Sequence, residues 1–220
     1  MEDNSEVLMN YGIDKKPKLL VIALACTLLI ATFASRSLAA TDTSALGTTQ
    51  QFVNQALQIL GNKQMPIPQK QAQLRTLMEP RFDFTEMSRS ALGYHWKTLT
   101  PDQRANFTAV FKSFMEAAYL SKIGDYAGQT VDFLKQTSLG DGYAQVFTKI
   151  NQATKPPIPV NYLLEQKDGS WMVYDVTVEN ISIIANYRNQ FNRVINENGF
   201  DKLLADLKAK QQQLGVSAAG

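Results

Sequence analysis

Cysteine is almost missing from this chain of 220 residues: its one thiol, Cys26, lies in an apolar run near the start. Beyond that run no disulfide, cysteine nucleophile or thiolate metal site can form, so the core must hold the fold alone. Histidine is as scarce. The single imidazole, His95, has no cysteine or second histidine with which to build a metal site, and any catalytic triad would have to pass through it. An excess of charge is absent too, since 22 Lys+Arg stand against 20 Asp+Glu. That balance argues against a nucleic-acid partner, which needs a broad basic face. There is no G-x-S-x-G, no G-x-G-x-x-G after a strand and no P-loop, and neither a metal nor an organic cofactor is expected.

What the chain does have begins at its N-terminus. Lys15, Lys16 and Lys18 precede an unbroken apolar run over 19–34, followed by "SRSLAA" with small residues Ser37 and Ala39 at the −3 and −1 positions. This is the order of an export signal, predicted over residues 1–39 and cleaved after Ala39. An uncleaved anchor is the alternative, although the run is shorter than the ~20 residues that a membrane span prefers. Residues 40–215 then form a single domain, and 216–220 a short tail.

Helices come first, then strands, then helices. Phe52, Val53, Ala56, Leu57 and Leu60 recur at helical spacing, and a second helix runs to about Met78. "FDFTEMSRSALG" aligns Phe84, Met87, Ala91 and Leu92 on one face, with Gly93 as the stop. "TPDQ" opens the longest helix: Thr100 is the N-cap, Pro101 the first helical residue, and Gln103 completes a capping box. From Gln129 the period becomes two. "QTVDFLKQT", "YAQVFTKI", "VNYLLEQ" and "WMVYDVTVE" are four strands separated by short turns, of which Asp168-Gly169 is a hairpin turn. The expectation is an α+β fold: a four-stranded, twisted antiparallel meander covered by a helical layer.

The chemistry of the last strand decides little for catalysis. Asp175 and Glu179 share a face under strict alternation but stand about 13 Å apart, too far for paired-carboxylate work. The same alternation groups Trp171, Val173 and Asp175 on one side and Met172, Tyr174, Val176 and Val178 on the apolar other. Asp83 and Glu86 suit the first turn of a helix. The aromatic stripe is a filled core or the lining of a cavity between helices and sheet, and periodicity does not separate the two.

From about Met78 to Leu207 the chain resembles the MlaC/toluene-tolerance (Ttg2-type) family, periplasmic phospholipid-binding components of intermembrane lipid transport systems. The resemblance rests on "FDFTEMSRSALGYHWKTLTPDQRANF", on "YAGQTV", on "PIPVNYLLEQKDGSWMVYDVTVENISIIANYRNQF" and on "NGFDKLLADL". Asn180 stands where the family usually has glycine, and Ser88 where alanine is common. The resemblance implies an apolar pocket between sheet and helices that takes phospholipid acyl tails. It implies as partners an inner-membrane ABC transporter carrying a substrate-binding ring and an outer-membrane lipoprotein complex. Asp175, Glu179 and Arg188 then form a polar seam between strand and helix and do no chemistry.

On periodicity, the expected lipid-binding lining is Leu92, Trp96, Phe107, Phe111, Phe114, Tyr162, Leu164, Val173, Val176, Val178, Ile183 and Tyr187. Lys97, Lys149 and Arg188 are expected near the rim, as docking cations or as ordinary surface charges. A carrier of a sterol- or hopanoid-like lipid, a small isomerase-like or hydrolytic α+β enzyme with Asp175 or His95 as its acid, and a pure interaction module are the alternatives.

Overall fold

A computed structural model describes residues 43–215, so the expected signal over 1–39 and the tail over 216–220 lie outside the described residues. Four of the helices begin where a side chain takes up a free amide of the first turn. Ser44 accepts from the Gly47 amide at 3.0 Å to start α1, Ala45–Gly61. After α2, Ile67–Met78, the Asp83 carboxylate accepts from the Glu86 amide at 2.8 Å and starts α3, Phe84–Leu92. Gly93 ends α3 at φ +57 and ψ −125, a conformation open to glycine alone, and the short α4, His95–Thr98, follows. The predicted capping box forms in full at α5, Pro101–Leu120: the Gln103 amide donates to Thr100 Oγ1 at 3.2 Å, and the Thr100 amide to Gln103 Oε1 at 2.9 Å.

The chain then runs through β1, Thr130–Gly140, β2, Tyr143–Asn151, β3, Ile158–Lys167, and β4, Ser170–Val178. Consecutive strands pair antiparallel throughout. The sheet has five strands, not the expected four. Glu179 (φ 52) and Asn180 (φ 66) are both left-handed, the requirement of a two-residue type I′ turn, and they fold β5, Ile181–Ser182, back on β4. Neither residue belongs to the Asn-Gly or Asp-Gly pairs that announce such a turn, so alternation ran straight into the helix. Asp168 (φ 50) and Gly169 (φ 77) make the β3–β4 hairpin as predicted.

A second correction concerns the faces of β4. Leu163 pairs with Asp175 and Leu164 with Val173, which leaves Tyr174 as one extra residue, a β-bulge. The bulge switches the alternation halfway along the strand. Val173, Val176 and Val178 therefore all point to the buried side, where strict alternation would have split them. The free edge of β4 is covered twice. Beyond the bulge it carries β5; before it, Phe82 makes a parallel bridge to Val173, with Val173 N donating to Arg81 O at 2.8 Å and Asp83 N to Val173 O at 2.9 Å.

Helices lie over one face of the sheet, α1 against β1 and β2, and α3 and α6, Ile183–Asn198, against β4. A last helix, α7, Phe200–Gln213, packs on α5 and α6. Every second residue of β2 (Ala144, Val146, Thr148, Ile150) is buried beneath this layer, and the residues between them face outward. Among the described residues no helix is long and apolar enough to cross a membrane.

Candidate functional site

Helix α6 is where the polar and apolar parts of the molecule meet. Ser182 caps it, accepting from the Ala185 amide at 2.9 Å. Behind the cap stands Asp175, whose Oδ1 accepts from the Val176 amide at 2.7 Å and the Ile184 amide at 3.2 Å, while Oδ2 accepts from the Ser182 hydroxyl at 2.5 Å. One carboxylate thus pins the bulge and the helix start together. Burial pushes its pKa above the ordinary value, against the hydrogen bonds from Ser182, Ile184 and Val176 and the charge of Arg188. With both oxygens engaged, it is poorly placed to take a proton from a substrate.

Arg188 carries the other half of the seam. Its Nε donates to the Ser90 carbonyl at 2.6 Å, tying α6 to the end of α3, and its stem passes the place a side chain at Gly93 would fill. His95 Nε2 lies 3.0 Å from Asn192 Oδ1, further along α6. Asn192 is ten residues beyond Ser182, roughly 15 Å along the helix. His95 and Asp175 are therefore too far apart to act on one atom. Among the described residues no group of acidic, histidine or cysteine side chains could hold a metal ion.

The apolar side of α6 packs on α5 through aromatic rings. Tyr187 stands edge-on to Phe111 and Phe114 at 5.7 and 5.6 Å, and Phe191 edge-on to Phe107 and Phe111 at 6.0 and 5.5 Å. The Tyr187 and Tyr119 hydroxyls hydrogen-bond to each other in this apolar setting; burial pushes Tyr187 up to about 12 and Tyr119 well above its ordinary value. Across the interior lie Tyr162 and Leu164 of β3 and Val173, Val176 and Val178 of β4, all buried.

Of the twelve lining residues expected from sequence, Leu92, Phe107, Phe111, Phe114, Tyr162, Leu164, Val173, Val176, Val178 and Tyr187 are buried between helices and sheet. Ile183 and Trp96 are partly buried against the same core, Trp96 beneath the Arg104 guanidinium at 5.6 Å. The three expected rim cations do not share a rim. Lys149 is on the outward face of β2, paired with Asp132 at 3.2 Å, beside a groove of about 370 Å³ lined by Leu134, Phe147, Pro157 and Pro159. Arg188 lies on the helical side, and Lys97 is exposed on α4. Tyr119, which stands on the same helical stripe as Phe111 and Phe114, and Phe191 pack in this cluster although neither is in the expected lining; Phe191 follows Tyr187 by four residues and is open to the same helical argument.

Together these features define an α+β protein with helices over one face of an antiparallel meander and an interior of facing apolar layers. The chain belongs to the MlaC family: the profile of the "MlaC protein" matches residues 50–209. It is 23% identical over 195 residues to the intermembrane phospholipid transport system binding protein MlaC of Haemophilus influenzae, covering 85% of this chain and 91% of that one. It is 31% identical over 132 residues to the toluene tolerance protein ttg2D of Pseudomonas putida, covering 58% and 60% respectively. A solved structure of the phospholipid-binding protein from Ralstonia solanacearum, in complex with a phospholipid, superposes with a TM-score of 0.69 at 26% identity, over 79% of this chain and 99% of that one.

Proposed function

We propose that this protein is a periplasmic phospholipid carrier, exported by its N-terminal signal, that moves lipid between the inner and outer membranes. The observation that carries the reading is the likeness to a phospholipid-bound structure over almost the whole length of that protein, joined to an interior of two facing apolar layers. The lipid tails would lie between α5 and α6 on one side and β3 and β4 on the other. Burying two chains of about 16 carbons is worth on the order of 20 kcal/mol gross, at ~0.8 kcal/mol per methylene. Tails then dominate affinity, and the headgroup can remain in water. Release of so apolar a cargo is slow without help, so handover requires a partner that opens the interior. The partners proposed are an ABC transporter complex with a substrate-binding ring at the inner membrane and a lipoprotein complex at the outer one. The carrier has no turnover of its own, in keeping with the saturated Asp175 carboxylate and the distance to His95.

Transfer of a labelled phospholipid from loaded protein to vesicles bearing the membrane complexes tests this reading. The wild type is expected to deliver intact lipid. Lys149→Glu is expected to slow delivery at low salt, with the deficit shrinking at high salt and the bound lipid unchanged, because docking is steered by charge and retention by the tails. Release of fatty acid or lysophospholipid that Asp175→Asn or His95→Ala abolishes would overturn it.

A further inference from the structure

We propose that the Gln190 side chain is an internal hydrogen-bonding contact for the ester group of the bound lipid, an inference that rests on the carrier reading above. Gln190 lies on α6 and is 4% exposed. Neither its Oε1 nor its Nε2 has a hydrogen-bond partner among the described residues. Most other buried polar side chains are supplied: Thr148 donates to the Val160 carbonyl, Asn161 to Thr177, and Asp83 and Asp175 each accept from backbone amides. A buried amide with neither end paired forfeits its full solvation, a loss that proteins rarely tolerate without use.

Its position points to that use. Ile183, Tyr187, Gln190 and Val194 are spaced by four, three and four residues and so share one face of α6. That face carries the Tyr187 ring into the cluster with Phe111 and Phe114. Arg188 leaves the helix toward α3 instead, where it meets the Ser90 carbonyl. The carboxamide is therefore a neutral polar point on the face that bounds the apolar interior.

The chemistry of the group narrows what it meets. Acyl chains offer no acceptor. A phosphate, although an amide N–H can donate to it, carries a charge that is costly to bring into an apolar interior with no cation beside it, whereas a neutral ester carbonyl oxygen enters at far lower cost and suits the same donor. In a diacyl lipid that oxygen is the ester carbonyl, at the depth where the chains join the glycerol. Gln190 Nε2 donates to it, and Oε1 takes a hydroxyl or water that enters with the ligand. The contact reads the ester linkage and leaves the headgroup unread.

Competition between two phosphatidylethanolamines of equal chain length, one diester and one diether, tests the assignment with protein stripped of lipid and reloaded from vesicles. The wild type is expected to retain the diester roughly five- to tenfold better, the scale of one buried neutral hydrogen bond. Gln190→Leu should erase the preference, keep the diether at least as well as wild type, and raise the thermal midpoint of the lipid-free protein. Gln190→Met serves the same comparison if the leucine variant does not fold. Equal retention of the two lipids by the wild type, unchanged in the variants, overturns the proposal and assigns the amide to water. Failure of the wild type to take either lipid overturns the carrier reading itself, and this inference with it.

Discussion

Asp83 shows how much one side chain can hold. Its carboxylate caps α3 through the Glu86 amide, pairs with Lys167 at the end of β3, and sits in the segment that bridges to β4. Burial alone would raise its pKa; the bonds from Lys167 and the α3 amides outweigh burial and hold the carboxyl below its ordinary value. A depressed folded pKa means that the stabilisation is complete above the unfolded value near 3.8 and is lost as the pH falls through the folded one. Asp83→Ala is expected to cost about 1 kcal/mol at pH 7, the usual loss of an N-cap. Urea denaturation measured from pH 7 downward should show the gap to wild type narrowing only below pH ~4. A deficit that is constant to pH 3 would mean that the ionised carboxylate contributes nothing.

Between elements, the critical join is the turn from β4 to α6. Glu179 and Asn180 hold it in left-handed backbone, which asparagine tolerates and alanine does not. Asn180→Ala is therefore expected to lose roughly 1–2 kcal/mol of unfolding free energy, and Asn180→Gly less than about 0.5 kcal/mol. Chemical denaturation of the two variants side by side checks the order; equal losses would show that the side chain, not the backbone, matters there. This same corner limits what the sequence reveals. Capping at Thr100, the stop at Gly93 and the Asp168-Gly169 hairpin were legible because each depends on neighbours in the chain. The bulge at Tyr174 and the fifth strand were not, because pairing with β3 and the demands of α6 create them. The bulge is also why Val173, Val176 and Val178 are all buried, although strict alternation along the strand splits them between two faces.

For the whole molecule, the layered α+β architecture and the family were legible in the order of motifs, and the rim was not. Lys149 and Arg188 are 39 residues apart in sequence, and only the sheet between them shows that they face different ways. The interior likewise reads as apolar from sequence, while the unpaired amide of Gln190 within it becomes visible only once every neighbour is placed. The carrier function depends above all on an apolar compartment between the two layers. Native mass spectrometry of the chain from residue 40, incubated with phospholipid vesicles and separated from them without detergent, measures it directly. The account predicts a species heavier than the bare chain by intact diacyl phospholipid, with several headgroup classes represented. A spectrum showing only the bare chain after that incubation would contradict it.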